Sequence, residues 1–133
     1  MAYVAGESDS DMFGGNSNWR GPICLPVNYL IIKLLQRLNF HDGYSFTIEY
    51  PTGSGHELNL HQVAAALAKR LAGLLLRGPD GRRPAFAQSE LLQTDPHFKD
   101  YLLFPEYFDG DYGKGLGVSH QTGWTGLIGR LLQ

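Results

Sequence analysis

The stretch Val27-Asn-Tyr-Leu-Ile-Ile-Lys-Leu-Leu-Gln-Arg-Leu38 decides the fold class of this chain. Its aliphatic residues recur at spacings of three and four, which is typical of a helix with one buried face. The residues of this stripe are Val27, Leu30, Ile31, Leu34, Leu35 and Leu38. We predict a helix over about 24–40, with Pro22 or Pro26 in its first turn and His41-Asp42-Gly43 at its end.

Two further stretches predict helices. Asn59, followed three residues later by Gln62, has the spacing of a capping box, and Gly78 stands where a C-terminal cap is expected. The predicted buried stripe of this second helix consists of Val63, Leu67, Leu71 and Leu74, and a run of alanines keeps one of its sides thin. Thr122 is expected to cap a last helix, which carries Trp124, Leu127, Ile128, Leu131 and Leu132.

The segments between these helices lack a clear helical period. Residues 1–12 are expected to form an extended lead-in, and residues 46–50 a short strand or an extended arm. Residues 82–95 are interpreted as irregular, and residues 96–107 as a short helix or turn. The fold predicted for 1–133 is therefore a single all-α segment of about three to four helices joined by long loops.

The apolar surface of these helices exceeds what three helices can bury against one another. The run from Leu30 to Leu35 is almost continuously aliphatic. We therefore expect either more polypeptide or a second copy to cover it, so that self-association through uncovered helix faces is a predicted property.

Composition narrows the possible functions. The 133 residues suit one domain, and a net charge of -2 gives no electrostatic reason to expect nucleic acid or an acidic membrane surface as a partner. The lone Cys24 fits a reducing compartment, and the chain is expected to be cytoplasmic. The five histidines show no ligand spacing, so neither metal nor cofactor is expected. Arg77, Arg82 and Arg83 are interpreted as a solvated basic turn.

Glycines, aromatic residues and carboxylates gather in three loops, at roughly 13–21, 43–56 and 104–124. Aromatic faces cover the C–H faces of a pyranose, and short polar groups reach its hydroxyls, although ordinary turns have a similar composition. Glu106 stands among Phe104, Tyr107 and Phe108, where it is either a proton-transfer group or a solvated carboxylate. Trp19 and Arg20 offer a stacking surface and a fork of donors, or else a structural ion pair.

The sequence closely resembles the C-terminal part of glycoside hydrolase family 63 and of the related mannosylglycerate and glucosylglycerate hydrolases. The resemblance follows the same order along nearly the whole chain, from residue 12 to 132. The stretches that carry it are Met12-Phe-Gly-Gly-Asn-Ser-Asn-Trp-Arg-Gly-Pro22, Val27-Asn-Tyr-Leu30, Pro51-Thr-Gly-Ser-Gly55, Gln93-Thr-Asp-Pro96, Glu106-Tyr-Phe and His120-Gln-Thr-Gly-Trp-Thr-Gly126.

This resemblance implies a partial (α/α)6 barrel and an inverting hydrolysis of α-glucosides or α-mannosides, among them oligosaccharides and glycosylglycerates. It implies that Glu106 is the general base, that Trp19 and Arg20 bind sugar, and that His120, Gln121 and Trp124 lie near the site. Inversion also needs a general acid, and no residue of the chain matches the Asp of the family.

Two positions depart from the family pattern. Cys24 replaces an aromatic residue, usually Trp, and Pro105 precedes Glu106 where a residue with an N–H is expected. The sequence therefore supports two hypotheses. One is the C-terminal part of a hydrolase that is active only within a complete barrel. The other is a non-catalytic helical module that at most binds sugar or a protein partner.

Overall fold

A computed structural model describes residues 3–8 and 20–133. Two long helices form its centre, α1 at Leu25–Asp42 and α2 at Leu60–Leu75. Both agree with the predicted helices to within about two residues. α1 begins after Cys24, with proline in its first turn, and ends at Gly43, whose φ of 75° is easily adopted only by glycine. Within the described ranges, no helix is long and apolar enough to cross a membrane.

α1 and α2 pack against each other through small and aliphatic side chains. Leu25 and Ile32 of α1 are fully or almost fully buried, as is Ala64 of α2. Alanine at the contact lets two helices approach closely, as the alanine run predicted. Asn39 is also buried, and its side-chain oxygen accepts a hydrogen bond of 3.2 Å from the backbone N–H of His61, which ties the end of α1 to the start of α2.

The aliphatic stripe predicted to be the buried face of α1 is mostly exposed. Leu30 is 67% exposed and Leu34 is 56% exposed, whereas the face against α2 carries Leu25 and Ile32. The prediction of which face is buried was therefore wrong, because α1 is apolar on two sides and the period alone does not say which side has a partner. The expected excess of apolar helix surface is confirmed: Val27, Ile31, Leu38 and Phe40 are exposed as well.

The start of α2 is as predicted, whereas its end differs. The side chain of Asn59 accepts a hydrogen bond from the N–H of Gln62, and the side chain of Gln62 accepts one from the N–H of Asn59, which completes the capping box. The helix ends at Leu75, with Leu76 as its C-cap, and not at Gly78. The guanidinium group of Arg83 donates a hydrogen bond to the carbonyl of Leu75, and so satisfies a carbonyl in the last turn.

Two short antiparallel ribbons correct the prediction of an all-α chain. β1 at Thr47–Glu49 pairs with β2 at Glu57–Asn59, and β3 at Tyr107–Phe108 pairs with β4 at Gly115–Leu116. The first ribbon confirms the strand character predicted for residues 46–50. The second lies where a turn or short helix was expected to end, and its strands are too short to show a period of two.

The C-terminal helix is shorter than predicted. It divides into α4 at Thr122–Thr125 and α5 at Ile128–Leu131, and Gln121, not Thr122, precedes its first turn. Glycine recurs at every third position here, at Gly123, Gly126 and Gly129. Each glycine weakens a helix by about 1 kcal/mol relative to alanine, which explains why the apolar period does not produce one continuous helix.

The stretch predicted to be irregular, 82–95, contains a 3-10 turn at Pro84–Phe86 and a one-turn helix, α3, at Glu90–Thr94. Gln93 is buried, and its side chain bonds both backbone groups of Arg83, at 2.9 Å each, and the carbonyl of Ala87 at 3.1 Å. Asp95 accepts a hydrogen bond of 2.8 Å from the N–H of His97 in the following turn. Gln93 and Asp95 thus order this part of the chain through their side-chain hydrogen bonds.

Replacing Gln93 by alanine is expected to lower the free energy of unfolding by about 1–3 kcal/mol, because the N–H and the carbonyl of Arg83 lose their side-chain partner. Gln88→Ala is the matched control: it removes the same side chain from an exposed position in the same loop. Urea denaturation measures both variants. Equal stability of the two would contradict this role of Gln93.

Candidate functional site

Glu106 lies in a segment that backbone hydrogen bonds fix on both sides. We call residues 104–108 the Glu106 segment. The N–H of Glu106 donates to the carbonyl of Val118 at 2.9 Å, and the N–H of Val118 donates to Oε2 of Glu106 at 3.1 Å. The backbone of Val118 thus bonds both the main chain and the carboxylate of Glu106, and it fixes the position of both.

Gly117 makes room for this carboxylate. Its φ is 69°, and a Cβ at this position would lie 2.6 Å from Oε2 of Glu106 and 2.7 Å from Cε1 of Tyr107. Both distances are shorter than Cβ atoms adopt, so the neighbouring atoms would have to move. Glycine is therefore needed here for the backbone conformation and for the close approach of Glu106.

Three residues predicted to be near the site are brought together with the Glu106 segment. The N–H of Phe104 lies 3.3 Å from Nδ1 of His120, and the two rings pack with centroids 5.7 Å apart. The N–H of Gln121 donates to the carbonyl of Phe104 at 2.7 Å, and the N–H of Trp124 donates to the carbonyl of Gln121 at 3.2 Å. His120, Gln121 and Trp124 are all exposed and so accessible to a ligand.

Buried residues also fix the position of the Glu106 segment. Phe108 and Thr125 are both fully buried, and the hydroxyl of Thr125 donates to the carbonyl of Pro105. The ring of Pro105 packs where a side chain on Gly115 would lie. Pro105, one of the departures from the pattern of the family that the sequence resembles, is thus buried.

Arg20 lies near a different part of this loop. Ile23 and Phe108 exchange hydrogen bonds of 2.8 and 2.9 Å as an antiparallel pair. Continued in both directions, this antiparallel register has Glu106 and Leu25 toward one end and Arg20 and Gly110 toward the other. The carbonyl of Gly21 is also close to Gly110, where a Cβ would lie 2.3 Å from it. The exposed Arg20 therefore flanks the other end of the pairing, and Trp19 lies outside the described residues.

The sequence pattern indicated no role for Glu7, and it indicated Tyr107 only as a neighbour of Glu106. The hydroxyl of Tyr107 is buried and, within the part of the chain that the structure describes, has no hydrogen-bond partner. Burial raises the pKa of Tyr107, and the negative charges of Glu7 and Glu106 raise it further. A tyrosine hydroxyl that keeps its proton is a hydrogen-bond donor. Nothing in residues 1–12 indicated that Glu7 would lie near this segment.

The motif Pro51-Thr-Gly-Ser-Gly55 forms a loop around Glu49. The carboxylate of Glu49 accepts hydrogen bonds from the N–H groups of Gly53 and Gly55, the latter at 2.7 Å, and they lower the pKa of Glu49. Among residues 3–8 and 20–133, no group of three or more His, Cys, Asp or Glu side chains is arranged to hold a metal ion.

One curated relative is similar to nearly the whole chain. A Saccharomyces cerevisiae protein, "Uncharacterized protein YMR196W", is 51% identical over 132 residues, which are 98% of this chain and 12% of the yeast protein. The chain thus spans about an eighth of the length of this relative, whose printed name gives no activity. No protein-family profile and no solved structure matches the chain.

Gly117→Ala is expected to destabilise the protein more than Gly81→Ala. Both glycines have a positive φ, 69° and 76°, so both substitutions cost about 1 kcal/mol of backbone strain. A side chain on Gly81 meets nothing within 4 Å, whereas one on Gly117 displaces Glu106 and Tyr107. Thermal denaturation followed by circular dichroism measures the difference, and a Gly117→Ala loss no larger than the control's would contradict the assigned contact.

Proposed function

We propose that this chain is the C-terminal part of an inverting α-glycoside hydrolase related to glycoside hydrolase family 63, in which Glu106 is the general base that activates the attacking water. The observation that carries the proposal is the fixed Glu106 carboxylate. The Val118 N–H bonds Oε2 at 3.1 Å, and no other hydrogen bond to either carboxylate oxygen exists among the described residues. The remaining lone pairs are available to accept a proton from water.

The surroundings of Glu106 support a saccharide as the ligand. The exposed Trp124 offers a ring face for the C–H face of a sugar, and the exposed His120 and Gln121 offer polar groups for its hydroxyls. Arg20 at the far end of the Ile23–Phe108 pairing would contact a different part of an extended substrate. Trp19 is proposed to stack on the same substrate.

The chain is proposed to be one part of a larger (α/α)6 barrel. Two observations support this arrangement: the exposed aliphatic face of α1, and the yeast relative, of which the matched stretch is only 12%. The general acid is proposed to lie in the remaining polypeptide, about 6.5–9.5 Å from Glu106, since inversion requires room for water between the two groups.

Substituting Glu106 by glutamine in the longer protein is expected to lower kcat by about 100-fold or more and to leave KM within a few-fold of its original value. The amide keeps the shape of the side chain but cannot accept the proton from water. Turnover is measured on a panel of α-glucosides, α-mannosides and glycosylglycerates, with the anomer of the first product determined by NMR.

Glu57→Gln is the matched control for this substitution, because Glu57 is an exposed glutamate on β2. Normal turnover of Glu106→Gln would refute its assignment as the base. Binding of these sugars without turnover by the unmodified longer protein would favour the non-catalytic sugar-binding module instead.

The isolated 133-residue chain is expected to show no glycosidase turnover, to bind a hydrophobic dye and to self-associate through the exposed face of α1. Replacing Leu30 and Leu34 together by lysine should reduce dye fluorescence and self-association, because it places two charges in the apolar stripe. Light scattering measures association, and a dye-negative monomer before substitution would contradict the expectation.

A further inference from the structure

A second candidate site lies at the C-terminal end of α2, in a cavity of about 770 Å³. Glu106 is not among the residues that line it. Five lining side chains are cationic and two are carboxylates, which is an excess of three positive charges in a chain whose net charge is -2. The cationic residues are Lys69, Arg77, Arg82, Arg83 and Lys114, and the acidic ones are Asp80 and Asp109.

The two carboxylates of the lining are bound to backbone groups. Oδ1 of Asp80 accepts from the N–H of Arg82 at 3.0 Å. Oδ1 of Asp109 accepts from the N–H groups of Asp111 and Tyr112, at 2.9 and 2.8 Å. Both acids therefore serve to order turns, and neither forms an ion pair with a described cation of the cavity.

Two of the cations have carboxylate partners outside the lining. Arg77 pairs with Asp100, and Arg82 with Glu90, both at 2.8 Å. Lys69, Arg83 and Lys114 have no carboxylate within 4.0 Å in the part of the chain that the structure describes. Three cations of the lining thus form no ion pair with a described carboxylate, and a bound anion would stabilise them.

Arg83 is the most constrained of these cations. One guanidinium nitrogen caps Leu75, and the buried Nε has no hydrogen-bond partner among the described residues. Burial lowers the pKa of Arg83, and the neighbouring charge of Arg77 lowers it further. Two guanidinium groups thus lie near each other, and Asp100 is bonded directly to only one of them.

We propose that this cavity binds the phosphate group of a small phosphate monoester, held by Arg83, Lys114 and Lys69. A phosphate monoester presents three oxygens to these three cations, whereas a carboxylate presents two, and phosphate oxygens suit guanidinium donors. Tyr112, which is 84% exposed and also lines the cavity, provides an aromatic face for the organic part of the ligand. In this proposal Arg83, one residue of the basic turn, has a binding role.

Isothermal titration of the full-length protein with inorganic phosphate and with glucose 6-phosphate, at low ionic strength, tests the proposal. Both probes should bind, and added sodium chloride should weaken them because part of the attraction is screened. Lys114→Met should weaken binding by about tenfold or more, as expected for the loss of a charge-assisted hydrogen bond. Lys33→Met, which removes the same charge from α1, should leave binding unchanged.

Arg83→Met removes a cap of α2 as well as a charge, so Lys69→Met is the second informative variant. It should also weaken both probes, with circular dichroism identical to that of the original protein. The proposal would be overturned if neither probe bound at millimolar concentration. It would also be overturned if Lys33→Met weakened binding as much as Lys114→Met does. Isothermal titration and circular dichroism do not depend on glycoside hydrolysis. This proposal can therefore fail while the function proposed for Glu106 stands.

Discussion

The backbone pairing of Ile23 with Phe108 is the constraint on which the geometry of the candidate site depends. It joins the residue two positions before α1 to the Glu106 segment across most of the length of the chain, through two hydrogen bonds of 2.8 and 2.9 Å. Phe108 is fully buried, and so is Leu25 at the first position of α1. Because a buried aromatic side chain can hardly move without creating a cavity, the segment keeps its position relative to the helices.

The Glu106 segment has no helical structure, and hydrogen bonds from several residues define its position. Val118 binds Glu106 from one side, and Thr125 and Gln121 bind the backbone of Pro105 and Phe104 from another. The glycines of this region permit these close approaches: Gly117 to Glu106, and Gly115 to Pro105. The C-terminal loop has little helical structure, and its hydrogen bonds fix the Glu106 carboxylate and the backbone of Phe104 and Pro105.

The sequence predicted what is determined locally. The capping box of Asn59 and Gln62 and the alanine contact at Ala64 depend on neighbouring residues, and both are present. The buried face of α1 was predicted wrongly because which of two apolar faces finds a partner is decided by tertiary packing. The electrostatic effect of Glu7 on Tyr107 was missed because the two residues are about 100 positions apart, and such a separation leaves no local signal.

For the candidate site, the sequence predicted that His120 and Gln121 lie near the Glu106 segment, but not that Arg20 lies at the other end of the pairing with Ile23. His120 and Gln121 contact the Glu106 segment, as a shared loop suggests. Gly117 is required because its backbone lies close to Glu106 and Tyr107, and no pattern of residue spacing predicts this approach. The position of Arg20 toward the Gly110 end follows from the antiparallel pairing of Ile23 with Phe108, and no sequence pattern reveals a single isolated bridge.

The central claim is that Glu106 lies against bound saccharide, and a crystal structure of the longer protein with a non-hydrolysable α-thioglycoside tests it most directly. The proposed function predicts a water molecule that is hydrogen-bonded to a Glu106 oxygen and lies beneath the anomeric carbon, with a second carboxyl group about 6.5–9.5 Å from Glu106. A sugar bound elsewhere, with Glu106 directed away from it or covered by another part of the polypeptide, would contradict the claim.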